Sequence, residues 1–200
     1  MYTIGLTGGI ASGKSTVSAW LREAGLPVVD ADLVAREVVE PGTPTLEKLK
    51  LAFGPAIIVN GELDRAALGK IAFGSQAELD RLNAIMQPAI QSAMQDKISF
   101  WRMQKTPLLI LDIPLLFERD YQHQVDEVVV VNATREQQFT RLKARNQLSD
   151  KAANARIDAQ MPLAEKVALA DVVLDNTRDK ADLRTQVEQL IQKWQTIAHN

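Results

Sequence analysis

Gly8-Gly9-Ile10-Ala11-Ser12-Gly13-Lys14-Ser15 satisfies the pattern G-x-x-x-x-G-K-[ST]. A short apolar segment, Tyr2 to Thr7, precedes it, and a helical pattern from about Lys14 to Ala24 follows. That strand, loop and helix setting gives the motif its meaning. Glycines let the backbone curl so that successive N–H groups point inward at phosphate oxygens, and the helix N-terminus adds partial positive charge. Lys14 supplies a point charge for the β- and γ-phosphates, and the Ser15 hydroxyl can ligate Mg²⁺. The stretch predicts a nucleoside triphosphate site built from residues 8 to 16.

Outward from the loop, strands and helices alternate. Pro27 to Asp30 reads as a second short strand. Leu108 to Leu111 and Val128 to Val131 are unbroken apolar runs, as expected of strands buried on both faces of a parallel sheet. Asp171 to Leu174 gives a weaker fifth strand, and Lys180 to Ala198 carries Leu183, Val187, Leu190, Ile191 and Trp194 at helical spacing. The order, with the phosphate loop, predicts an α/β fold of the P-loop NTPase type: a five-stranded parallel sheet sandwiched by helices. Between the second strand and Leu108 lie about 75 residues with no convincing strand, more than one crossover helix requires. Helical patterns fill them at Thr45 to Phe53, Asp64 to Phe73 and Gln76 to Lys105, the last expected to kink or divide at Pro88. This reads as a helical insertion, a natural place for substrate specificity.

The 200 residues carry 25 acidic and 23 basic side chains, a net charge of −2. Hydrophobic residues at 46% and charged residues at 24% exclude wholesale disorder. The absence of cysteine removes disulfides, thiolate metal sites and a cysteine nucleophile. A pI near 5.8 argues against a nucleic-acid scaffold. No apolar stretch approaches the roughly 20 residues that span a bilayer, and no secretion signal is read, so a cytoplasmic protein is expected.

A phosphate loop does not say which reaction. A GTPase switch should carry D-x-x-G and N-K-x-D; no aspartate has glycine at that spacing, and Asn176-Thr-Arg-Asp179 lacks the lysine. Asp30 and Asp32 read as the end of the second strand, where i and i+2 side chains share a face. The carboxyl ends of such strands form the ligand crevice. A carboxylate there can accept the proton of an attacking hydroxyl, while Asp32 could equally N-cap a helix beginning at Leu33; spacing leaves both open. Asp112 closes its apolar run in the manner of a Mg²⁺-holding aspartate. Arg135, Arg141, Lys143, Arg145, Lys151 and Arg156 cluster, with Arg141 and Arg145 on one helical face. Such a run is either a lid that brings an arginine to the γ-phosphate or a solvated face. Leu115, Leu116 and Phe117 either line an apolar wall or pack as core. His123 and His199 suggest no metal site, and Trp20, Trp101 and Trp194 read as packing residues.

With these motifs in place, the sequence closely resembles the dephospho-coenzyme A kinase family. Ile4 to Thr16 is similar to its phosphate-loop signature, and Asp30-Ala-Asp-Leu-Val-Ala-Arg36 to its D-x-D-x-x-A-R element. Leu63-Asp-Arg65 with Leu68 and Phe73 matches its inserted region, and Asp112-Ile-Pro-Leu-Leu-Phe-Glu118 its P-L-L-F-E segment. Gln160, Pro162, Lys166, Ala170, Asp171 and Asn176 fit its C-terminal pattern. The resemblance spans practically the whole chain, with one departure: Gln87-Pro88 stands where relatives usually carry a histidine-proline pair.

The resemblance implies ATP-dependent phosphorylation of the ribose 3′-hydroxyl of dephospho-coenzyme A, the last step of coenzyme A synthesis. Alternatives are another P-loop small-molecule or nucleotide kinase, or a nucleotide-dependent switch or assembly module. A three-part architecture is implied: a core at about 1–32, 105–138 and 164–200, a helical substrate subdomain at about 33–104, and a lid at about 139–163. ATP would lie on Gly8, Gly9, Ala11, Ser12, Gly13, Lys14, Ser15 and Thr16, with Arg145 and Asn176. Asp32 becomes the base, Lys14 and Arg141 the stabilising cations, and Ser15 and Asp112 the Mg²⁺ residues. The acceptor would meet Asp32, Arg36, Pro114, Leu115, Leu116 and Phe117. The expected partners are ATP and dephospho-coenzyme A, with no nucleic acid or membrane, in a monomer or weak homo-oligomer.

Overall fold

The computed structural model describes residues 1–198; His199 lies outside the described residues. The chain forms two compact units, Ala31–Phe100 and the remainder. The larger unit begins β1 (Tyr2–Gly8), α1 (Lys14–Glu23) and β2 (Val28–Asp30). The smaller contains α2 (Ala31–Glu37), α3 (Pro44–Phe53), β3 (Ile58–Val59), β4 (Glu62–Leu63), α4 (Arg65–Ala72) and most of α5 (Gln76–Met103). The larger then resumes with β5 (Leu108–Asp112), β6 (Glu127–Asn132), α6 (Arg135–Asn146), α7 (Asp150–Asp158), α8 (Leu163–Ala168), β7 (Val172–Asp175) and α9 (Lys180–Ala198).

In the larger unit a five-stranded sheet runs in the order β2-β5-β1-β6-β7, every neighbouring pair parallel. The apolar runs explain its centre. All five residues of β5 and five of the six in β6 are buried, as strands covered on both faces require. Ile4, Leu6, Ile110, Val129 and Val131 pack with Val17 and Leu21 of α1 and with Leu183, Val187, Leu190 and Trp194 of α9. The register aligns the carboxyl ends: Asp30 lies opposite Asp112, Asp112 opposite Leu6, and Gly8 opposite Val131. Acids and phosphate loop therefore share one edge, where open α/β sheets bind ligands.

The amino end of β6 is tied differently. Glu127 is buried there and accepts from Trp194 Nε1 at 2.9 Å, Lys193 Nζ at 2.8 Å and the Tyr2 hydroxyl at 3.2 Å. Burial, then the neighbouring Glu127 charge, pushes the Tyr2 phenol above its ordinary range.

The smaller unit has its own apolar cluster of Val39, Leu49, Ile57 and Leu68, joined by Phe53, Leu63 and Met86. Thr43 caps α3 through the Leu46 N–H, with Pro44 at the first helical position. Asp64 caps α4 by accepting from Ala66 and Ala67, each at 2.9 Å.

Three sequence expectations are corrected. The insertion does contain strands: β3 and β4 form an antiparallel hairpin closed by Asn60 (φ 52°) and Gly61 (φ 84°). Positive φ at both turn residues is what a type I′ hairpin demands, and Asn-Gly supplies it. Of the kink or division expected at Pro88, division does not occur, since α5 runs unbroken for 28 residues. Proline removes one backbone donor, and the turns on either side keep theirs. Finally, Asp32 neither ends β2 nor caps a helix. The helix α2 begins at Ala31, so Asp32 sits in its first turn, where a carboxylate faces the positive end of the helix dipole.

Candidate active site

The loop between β1 and α1 is shaped by two left-handed residues, Ala11 at φ 58° and Gly13 at φ 103°. Gly13 is required twice over: its φ disfavours any L side chain, and a Cβ there would collide with the Asn176 amide. Inside the loop the Ser12 N–H donates to the Gly9 carbonyl at 3.0 Å, and Thr16 and Val17 turn their N–H groups back to Gly13. Gly13 has no side chain to cap α1, so the helix opens with its first N–H groups toward the loop.

Lys14 reaches across to Asp112, and the two form an ion pair at the carboxyl ends of β1 and β5. The Asp112 side chain is only 3% exposed and that of Lys14 16%, so the pair sits at the floor of the site. Ser15 is exposed and Ser12 buried, the Ser12 hydroxyl having no hydrogen-bond partner among the described residues. A serine hydroxyl and a carboxylate are hard oxygen donors of the kind Mg²⁺ takes, and two such groups leave its other positions to phosphate and water.

On the β7 side the structure joins three expected residues in series. Arg141 of α6 donates through Nη2 to the Asn176 carbonyl at 3.3 Å, and Asn176 Nδ2 donates to the Ser12 carbonyl at 2.7 Å. Arg141 Nη1 is buried with no hydrogen-bond partner among the described residues, a group that meets no protein acceptor. Arg145 behaves differently: it is exposed and donates to Asn146 at 2.9 Å. Arg135 pairs with Asp158 at 2.8 Å, which places it in a surface ion pair.

Beyond β5 the segment Pro114 to Phe117 divides. Pro114 and Leu115 are half-buried, whereas Leu116 is 0% and Phe117 7% exposed. Leu116 packs over Gly5 of β1, where an added Cβ would lie 2.5 Å from Leu116 Cδ1. Inward packing rather than an open wall is what these two side chains provide. Behind them Lys166, fully buried, donates to the Pro114 carbonyl at 3.0 Å and pairs with Glu118 at 2.8 Å. Glu118 also accepts the Met161 N–H at 3.1 Å. Within the smaller unit, Asp32 and Arg36 are exposed on α2 at i and i+4, one above the other on one helix face. Gln87 is half-buried on α5.

Residue-level reading of the sequence gives no role to the two residues that hold the loop from outside. Gln138 Nε2 donates to the Ile10 carbonyl and Gln160 Oε1 accepts the Ile10 N–H, both at 2.8 Å. They lie 128 and 150 residues from Ile10, and no local pattern links positions so far apart.

The model of a family described as Dephospho-CoA kinase matches residues 2–182. The Dephospho-CoA kinase of Oceanobacillus iheyensis is 48% identical over 192 residues, covering 96% of each chain. That of Geobacillus kaustophilus is 47% identical over 196 residues, covering 98% of each. Among solved structures, a Thermus thermophilus protein superposes with a TM-score of 0.82 at 37% identity, over 96% of this chain and 97% of its own. Dephospho-CoA kinase from Campylobacter jejuni gives 0.75 at 28% identity, over 96% of both. On the match of this family model over residues 2–182 and on relatives 47–48% identical over nearly their whole length, the chain belongs to the dephospho-CoA kinase family.

Proposed function

We propose that this chain transfers the γ-phosphoryl group of ATP to the ribose 3′-hydroxyl of dephospho-coenzyme A, giving coenzyme A and ADP in the final step of coenzyme A synthesis. The observation that carries the reading is the Lys14–Asp112 pair beneath a phosphate loop, in a member of this family. Lys14 leaves Asp112 for the β- and γ-phosphate oxygens when ATP enters. N–H groups of the loop and of the first turn of α1 surround the same oxygens. Asn176, already bonded to the loop through Ser12, is assigned to the nucleotide side, and Arg145 more peripherally. Mg²⁺ would be held by Ser15 and Asp112 and would supply charge neutralisation across the β- and γ-phosphates.

The 3′-hydroxyl oxygen forms the new bond to the γ-phosphorus as the bond to the bridging oxygen of ADP breaks. Asp32 receives the hydroxyl proton. It follows by two residues the strand end whose Asp30 is in register with Asp112. Arg141 supplies the positive charge that the transferring group needs most while in flight, and its unpartnered Nη1 supports that role. Arg36 is assigned to the acceptor's phosphates, and Pro114 and Leu115 to its apolar contact, with Leu116 and Phe117 as their backing.

The division of labour follows: a core at about 1–32, 105–138 and 164–200, a substrate subdomain at about 33–104, and a lid at about 139–163 that excludes water during transfer. Net charge −2 supports small-molecule partners in the cytoplasm rather than nucleic acid. No described helix is long and apolar enough to cross a membrane. The deciding experiment is a coupled assay of ADP release at fixed Mg·ATP with a panel of acceptors. Release that requires dephospho-coenzyme A, with the new phosphate located at the ribose 3′ position by NMR, supports the reading. Acceptor-independent release, or transfer to another acceptor class, overturns it.

A further inference from the structure

Gln138 and Gln160 grip the phosphate loop with opposite polarity. Gln138 lies in α6, 4% exposed, and donates from Nε2 to the Ile10 carbonyl; Gln160, two residues past α7, accepts the Ile10 N–H through Oε1. These two bonds fix the peptide planes on either side of the Ile10 Cα. The next residue is Ala11, whose φ of 58° is one that an L side chain adopts only at a cost. Ile10 and Ala11 also pack against the cluster of Leu142, Ala153 and Ile157 on α6 and α7. Gly9 makes room for the arrangement: its φ is ordinary, but a Cβ would collide with the Gln138 amide.

We infer that Gln138 and Gln160 are positioning residues for phosphoryl transfer. They hold the loop in its left-handed turn at Ala11 and so keep the following N–H groups aimed at the phosphates. Because the Ile10 N–H is taken by Gln160, the phosphate donors begin after it. The inference rests on the assignment of this loop to the phosphates of ATP. It predicts that position 160 needs an acceptor and position 138 a donor.

The test uses the full chain with Gln138→Met, Gln160→Met, Gln138→Glu and Gln160→Glu, measuring Kd for ATP by calorimetry, KM for dephospho-coenzyme A, and melting temperature. The Met variants keep side-chain length and lose the hydrogen bond; ATP should bind about tenfold more weakly or worse, equivalent to about 1.4 kcal/mol, with KM for dephospho-coenzyme A within about twofold. The Glu variants should then separate: Gln160→Glu binds ATP better than Gln160→Met, because its carboxylate still accepts, whereas Gln138→Glu binds worse than Gln138→Met. Added negative charge alone would move both Glu variants the same way and would overturn the inference. So would folded Met variants with unchanged ATP affinity, which decide the matter even where Gln138→Glu does not fold. Wild-type protein without saturable ATP binding would instead sink the donor-site assignment itself, and the inference with it.

Discussion

Lys14 and Asp112 depend on one another more than a bare motif suggests, because Asp112 is nearly enclosed and Lys14 is the cation beside it. Lys14→Met should therefore do two things. Turnover should fall well beyond about tenfold, since the charge that offsets the phosphates is gone. Stability should fall too, by at most the about 3–5 kcal/mol seen when a buried pair loses one partner. Adding Asp112→Asn should recover part of the melting temperature and none of the activity; a double variant that regains turnover would refute the assignment of both residues. Asp32 allows a cleaner separation. It is exposed, in the first turn of α2 rather than at the cap, so its charge contributes only about 0.3–1 kcal/mol to the helix. Asp32→Asn and Asp32→Ala should both melt close to wild type. Both should lose about 10²-fold or more in turnover, the usual scale of a positioned base, with ATP affinity retained. Side-by-side melting curves and turnover numbers check this, and an active Asn variant removes Asp32 from the chemistry.

Helix α6 carries Gln138, Arg141 and Arg145, all assigned to the donor side, and a cap opens it. Thr134 accepts the Gln137 N–H at 3.1 Å while the Gln137 side chain accepts the Thr134 N–H at 3.0 Å, a reciprocal cap. Thr134→Ala should cost about 1 kcal/mol and lower the melting temperature by about 2–4 °C, while Thr134→Ser should not. Farther along the same helix, Arg141→Ala should reduce turnover far more than ATP binding, because its charge matters most in the transition state. Lost ATP affinity with normal turnover at saturation would move Arg141 to ground-state binding. The elements differ in how plainly the sequence announces them. The runs in β5 and β6 and the glycine loop were readable because burial on both faces, and a phosphate cradle, each dictate contiguous residue types. The β3–β4 hairpin was not, since two-residue strands leave no period to detect, although Asn60-Gly61 carried the turn signal. Asp32 was misplaced because a helix starting directly after β2 ends the two-residue alternation at Asp30. Gln138 and Gln160 were invisible as loop partners because each acts across well over a hundred residues.

At the scale of the whole chain, the two compact units offer a division that ligands can report. The phosphate loop, Asp112, Arg141 and Asn176 all belong to the larger unit, and Asp32 and Arg36 to Ala31–Phe100. A ligand that binds only the native form stabilises it by RT ln(1 + [L]/Kd), about 2.7 kcal/mol at a hundred times Kd. Amides that exchange only through openings that release the ligand then slow by up to about a hundredfold, whereas amides in an independently opening region do not. ATP should therefore protect residues 8–16 and the segments around Gln138 and Asn176, and leave most of 45–75 unchanged. Dephospho-coenzyme A should protect α2 and parts of Ala31–Phe100, because two of the residues assigned to the acceptor, Asp32 and Arg36, lie there. Hydrogen exchange read by mass spectrometry, with each ligand alone and then both, tests the assignment without turnover. The Lys14→Met variant should lose the ATP pattern and keep the acceptor pattern. If ATP protected 45–75 as strongly as the loop, or dephospho-coenzyme A left Ala31–Phe100 untouched, the assignment of Asp32 and Arg36 to the acceptor and of the phosphate loop to the donor would fail. The phosphate-loop reading would survive that result, because it stands on residues of the larger unit alone.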